Sequence, residues 1–183
     1  WQFEFDDDIS TLLLIDYALE QFQQKKMQAQ DVYVVPQDMS EHIGQQNLGL
    51  KTSESYTFTE LLQFLIFTQA VDVKEALSNM LCATNEQAHL ILSKRAAAYN
   101  LTLKNEAIQN QLKNLFQLLR KIYSYPNEIK KLFFIKELNF QGKSYLSQTP
   151  LIGQNVVEVL YLTNSFRKIY LTFFEENQTI GFF

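Results

Sequence analysis

Asp38-Met39-Ser40-Glu41-His42 is the one local run of this chain that gathers metal-ligand and proton-transfer groups. Its spacing approaches a His-x-x-Glu-His zinc motif, but Asp38 stands where the first imidazole belongs, and a catalytic zinc usually needs three protein ligands. Only His89 can add a second imidazole. The plainer reading of Asp38, Glu41 and His42 is a solvated turn or helix cap. They stand as weak metal candidates, and no cofactor is expected. Cys82 and His89 suggest a thiol–imidazole pair, yet seven residues of continuous helix would part them by ~10 Å. Cys82 is the sole cysteine, which excludes an intrachain disulfide framework, and between Leu81 and Ala83 it reads as a buried apolar thiol. The five glycines are dispersed, no phosphate loop or Gly-x-Ser-x-Gly elbow occurs, and no small-molecule ligand is identifiable.

Two surfaces remain as candidates for recognition. The polar face of a helix over residues 104–123 carries Gln109, Asn110, Lys113, Gln117, Arg120 and Lys121, side chains able to read bases and hold phosphates. With the helix before it, this resembles a helix-turn-helix layout, although the turn lacks Gly and Phe116 interrupts the face. The second surface is aromatic. Tyr161, Tyr170, Phe174, Phe182 and Phe183 exceed what one side of a small sheet readily buries, and exposed aromatic patches tend to be contacts. A further route to chemistry is convergence in space of scattered acids such as Asp16, Glu20 and Asp38.

These residues must be positioned by elements whose periodicity is legible. Residues 1–5 alternate apolar and polar as a strand does. Asp6, Asp7 and Asp8 then precede a stripe of Leu12, Ile15, Leu19 and Phe22, and acids before a helix start suit the macrodipole. Residues 32–35 are β-prone up to Pro36, and residues 37–55 form the longest expected loop. Helices are predicted near 59–70, 73–82, 85–99 and 104–123. Thr57 with Glu60 and Thr84 with Gln87 have capping-box spacing, and Asp72 with Glu75 approximates it. Ile108, Leu112, Leu115, Leu119 and Ile122 form a short seam, predicted to pack the last helix antiparallel on the one before it. Residues 128–138 fit helix and strand equally. Three aromatic and β-branched runs close the chain at 156–162, 168–174 and 179–183.

The segregation of helices from strands predicts a single α+β domain over 1–183. A central helical bundle, about 6–123, precedes a β-rich part, about 132–183, with a C-terminal antiparallel sheet that the N-terminal strand is placed to join. Hydrophobic residues make up 46% and charged residues 20%, enough apolar material for a core. No apolar run approaches the ~20 residues of a membrane helix. Residues 1–60 hold eleven acids against three bases, and 94–143 hold ten bases against three acids. Two regions of one domain that attract each other explain this better than a nucleic-acid surface, since the net charge is −4. The absence of an initiating Met suggests a fragment, or a processed or anchored extracytoplasmic domain; the cytoplasm is otherwise slightly favoured. Asn100-Leu101-Thr102 and Asn177-Gln178-Thr179 match the glycosylation sequon, a short pattern that chance often produces. The functional expectation is a non-catalytic protein-interaction, regulatory or accessory subunit, with another protein or a second copy as partner. Nucleic-acid binding is the alternative, and an enzyme with dispersed acids the third.

Overall fold

The structure, a computed structural model, describes residues 7–37, 39, 47–102, 108–133, 137–146, 156–163, 168–174 and 180–181. The chain is α+β, as the segregation of its patterns predicts, with six helices and small antiparallel sheets among the described residues. Helix α1 (Asp7–Gln23) starts inside the acidic triplet. Leu12, Leu13, Leu14 and Ile15 are each 2% exposed or less. Four consecutive positions of a helix point to every side, so α1 is enclosed rather than laid on a surface. Its cover comes from α2 (Phe58–Thr68), α3 (Val71–Leu81), α4 (Asn85–Ala98) and α5 (Ile108–Tyr123), all of which pack against it.

The local signals explain where these helices begin. Thr57 caps α2 by accepting from the Glu60 amide, and the Glu60 carboxylate accepts from the Thr57 amide at 2.7 Å. This reciprocal box satisfies two amides that the first turn leaves free. Thr84 caps α4 through the Gln87 amide at 3.2 Å, but the Gln87 side chain turns to the Ala83 amide instead of closing the box. The predicted Asp72–Glu75 box does not form. Ala70 occupies the N-cap position of α3 without a side-chain cap, and Asp72 lies inside the first turn.

The seam on α5 was legible as a face but not as a pairing. Leu115, Leu118, Leu119 and Ile122 are buried. Their helix packs chiefly on α1, not on α4 as predicted, because the enclosed α1 presents apolar side chains all round whereas α4 offers only Ala88, Leu92 and Ala96 as buried positions. Leu115→Ala should cost ~2–5 kcal/mol in a denaturant melt, as a large-to-small change in a packed core does. A loss below about half a kcal/mol would mean that this face is solvent-exposed.

The ambiguous stretch contains both structures: α6 (Asn127–Phe133), then β3 (Glu137–Phe140). Phe133 holds α6 in place, with its ring edge-on to Phe22 at 5.0 Å and to Phe58 at 5.8 Å. Strand β3 forms a hairpin with β4 (Lys143–Leu146), and Gln141 and Gly142 between them both have positive φ, 49° and 73°, which suits the tight turns of two-residue hairpins. The expected loop 37–55 ends in β2 (Ser55–Thr57), which pairs antiparallel with β1 (Val32–Val34). At the C-terminal end, β5 (Val156–Thr163), β6 (Lys168–Phe174) and β7 (Ile180–Gly181) form the expected antiparallel sheet in that order. Residues 1–5 lie outside the described residues. No helix of the described residues is long and apolar enough to cross a membrane.

Candidate functional site

Ser10 and Lys74 meet in the core. Ser10 sits in the first turns of α1, Lys74 in the first half of α3, and the Lys74 ammonium donates to the Ser10 hydroxyl at 2.5 Å. Their exposures are 0% and 4%. A buried lysine is costly unless its charge is met, so polar neighbours in this part of the core are expected. Glu75 and Ser78 on the same helix are also buried, and the Ser78 hydroxyl has no hydrogen-bond partner among the described residues. A serine hydroxyl within reach of a lysine amine is a known means of making a nucleophile, once the amine is neutral and a substrate can approach. In this closed arrangement neither side chain is open to solvent.

Next along α3, the Asp72 carboxylate accepts from the amides of Leu48 at 3.0 Å, Gly49 at 2.8 Å and Leu50 at 3.0 Å. One side chain therefore ties the end of the long loop to the start of α3. A third cluster joins α1, α4 and the segment after α5. The Arg95 guanidinium pairs with both Asp16 and Glu20, and the Tyr125 hydroxyl donates to Asp16 at 3.1 Å. Burial holds the Asp16 carboxyl above its ordinary range, although Arg95 and Tyr125 pull it down. Burial and the adjacent Asp16 charge likewise push the Tyr125 hydroxyl up. The acidic first region and basic central region do attract each other here, through Asp16, Glu20 and Arg95.

An open cleft of about 340 Å³ lies between α2 and β3. Beneath it lie three packed rings, with Phe64 and Phe140 centres 4.7 Å apart and Tyr56 6.1 Å from each; Tyr56 and Phe64 are buried and only Phe140 is half-buried. Glu60 and Gln63 line the α2 side, and Glu137 and Asn139 the β3 side. Tyr56 donates to Glu54 at 2.5 Å, and burial pushes its hydroxyl up to about 12, so the ring remains a neutral phenol.

The residues singled out from the sequence fall elsewhere. Asp38, Glu41 and His42 lie outside the described residues, and those described contain no group of three candidate metal ligands. Lys113, Arg120 and Lys121 are exposed on α5, with Lys121 over the Tyr125 ring at 4.8 Å; Gln109 is on the same helix. Tyr161 and Tyr170 are register partners on β5 and β6, and Phe174 ends β6, whereas Phe182 and Phe183 lie outside the described residues. Cys82 is buried, and His89 contacts Ser93 at 3.4 Å. Of the scattered acids, Asp16 and Glu20 do converge, but on Arg95. Sequence reasoning passed over Ser10 and Lys74. The available signal was polar pairs flanked by apolar residues, Ser10 and Thr11 between Ile9 and Leu12, and Lys74 and Glu75 between Val73 and Ala76.

No protein-family model and no curated protein sequence matches the chain. Its fold does match solved structures. It is similar to penicillin-binding protein 6B from Escherichia coli, at a TM-score of 0.73 and 15% identity, covering 92% of this chain and 59% of that one. Penicillin-binding protein 5 from Haemophilus influenzae gives 0.74 at 13% identity, covering 97% of this chain and 56% of that one. The D-alanyl-D-alanine carboxypeptidase from Mycobacterium tuberculosis gives 0.61 at 13% identity, covering 95% and 72%. The chain thus spans less than two thirds of the length of the first two proteins, and at such identities the likeness establishes the fold. It also overturns the functional expectation. The expected non-catalytic interaction, regulatory or accessory subunit, with its nucleic-acid and dispersed-acid alternatives, gives way to a fold similar to that of penicillin-binding proteins and a D-alanyl-D-alanine carboxypeptidase.

Enzymes that react with penicillin through serine carry Ser-x-x-Lys, Ser-Asp-Asn and Lys-Thr-Gly motifs. Within these 183 residues only Ser165-Phe166-Arg167-Lys168 has the first spacing, and the other two motifs do not occur. Lys168 opens β6, and Ser165 lies outside the described residues.

Proposed function

We propose that this chain is a peptidoglycan-directed domain of the penicillin-binding kind, whose substrate class is the cell-wall peptide ending in D-alanyl-D-alanine. The observation that carries this reading is the extent of the fold match, 92–97% of the chain at TM-scores of 0.73 and 0.74. Ser10 and Lys74 are the proposed reactive pair. As a free amine, Lys74 takes the Ser10 proton while the hydroxyl oxygen bonds to the substrate carbonyl carbon. The carbon–nitrogen bond then breaks, and the departing amine takes the proton back from Lys74. Because both side chains are closed off, an acyl donor reaches Ser10 only after the groups over it move. Slow acylation is the expected kinetics.

Calorimetric titration with a short peptide ending in D-alanyl-D-alanine tests the substrate class. Saturable binding is expected, with the L-alanyl-L-alanine peptide failing to compete. Equal affinity for the two, or none for either, would contradict the reading.

A further inference from the structure

The Ser78 hydroxyl is the one buried polar side-chain group without a hydrogen-bond partner among the described residues. At 1% exposure it is shut away from bulk solvent, and a buried group left unmet is both costly and uncommon in native proteins. Its place on α3 gives it a use. Ser78 follows Lys74 by one helical turn, and residues four apart share a helix face, with β-carbons ~5–6 Å from each other. Side chains lean toward the N-terminal end of their helix, so Ser78 leans over the turn that carries Lys74. The Lys74 amine itself is turned to the Ser10 hydroxyl, at 2.5 Å.

We propose that Ser78 is a positioning residue, a second partner to which the Lys74 amine moves when the Ser10 oxygen is taken up in an ester. The inference rests on the acyl-transfer reading of Ser10 and Lys74 for the event that triggers the move. Acylation removes the Ser10 hydroxyl proton and leaves an ester oxygen that accepts only weakly, so Lys74 loses the contact it makes in the closed pair. A serine hydroxyl both donates and accepts, and Ser78 therefore suits Lys74 as an ammonium and as a free amine. The flexible four-carbon stem of lysine permits the swing without movement of α3. Ser78 acts through Lys74 alone, keeping the amine beside the ester once Ser10 no longer holds it.

A double-mutant cycle tests the move without any acyl donor, because Ser10→Ala also takes the first partner away. Urea unfolding is measured for the wild type, Ser10→Ala, Ser78→Ala and the double variant. With Ser10 present, Ser78→Ala should leave the folding equilibrium unchanged or raise it, since it deletes an unmet hydroxyl. In the Ser10→Ala chain the same change should lower the folding equilibrium constant roughly tenfold, the loss of a hydrogen bond to a charged amine. The side-chain nitrogen-15 signal of Lys74 should move between Ser10→Ala and the double variant, and stay in place when Ser78→Ala is made alone. Should Ser10→Ala fail to fold, Ser10→Cys replaces it in the cycle, its thiol being a weak acceptor. Equal effects of Ser78→Ala in the two backgrounds, or a Lys74 signal indifferent to Ser78 in both, overturns the proposal. A chain that takes up no penicillin but shows the unequal effects loses the peptidoglycan reading and keeps the two-partner lysine; equal effects in a chain that does acylate sink the move alone.

Discussion

Arg95→Met should destabilise the chain by ~3–5 kcal/mol at neutral pH, the range expected when one partner of a buried ion pair is removed. Asp16 is fully enclosed, and Arg95 is the cation that meets it. Without the guanidinium its carboxylate keeps only the Tyr125 hydroxyl among these partners. The pH dependence gives the effect a signature. Burial already raises the folded carboxyl above its unfolded value, so the folded state binds the proton more tightly, and stability from this group falls as pH rises through that window. Removing Arg95, which lowers the carboxyl, widens the window upward. The deficit relative to wild type should therefore be smaller near pH 4 than at pH 7. Asp16→Asn in the same chain should recover part of the loss at pH 7. A deficit independent of pH, with no recovery, would show that Arg95 acts through packing alone.

Asp72→Ala should cost about 3 kcal/mol. It removes three hydrogen bonds from a carboxylate to the Leu48, Gly49 and Leu50 amides, each worth ~1.5–3 kcal/mol when one partner is charged, offset in part as the loop amides reach water. Asp72→Asn should fare little better. The carboxylate uses one oxygen for Leu48 and the other for Gly49 and Leu50, so an amide nitrogen on either side faces a donor. Urea melts of the two variants decide this, with hydrogen exchange expected to quicken at residues 48–50 first. Asn matching wild-type stability would mean that the loop is held by other contacts.

The elements were legible where a local rule sufficed. The Thr57 box, the apolar run that opens α1 and the β-branched runs at the C-terminal end each follow from residues a few positions apart. The seam of α5 told which face is buried, but a stripe of leucines carries no label for its partner, and α1 won that contact. Asp72 and Glu75 had the spacing of a cap, yet Asp72 serves a loop more than twenty positions upstream. Ser10 and Lys74 are 64 positions apart, and Asp16 and Arg95 are 79 apart. No periodicity connects such pairs, because only the folded packing of α1 against α3 and α4 brings them together. Function was less legible still. Surface composition pointed to binding partners, whereas the fold, which composition does not encode, is similar to that of penicillin-binding proteins and a D-alanyl-D-alanine carboxypeptidase.

Incubation of the folded chain with a fluorescent penicillin, followed by intact-mass measurement, tests the central reading most directly. Slow, stoichiometric retention of the drug as an acyl adduct is expected, slowed further by the D-alanyl-D-alanine peptide and lost in Ser10→Ala, whose fold is checked by circular dichroism. An adduct that persists in Ser10→Ala would move the nucleophile elsewhere and keep the substrate class, whereas a folded chain that retains no penicillin and binds no D-alanyl peptide would contradict the account.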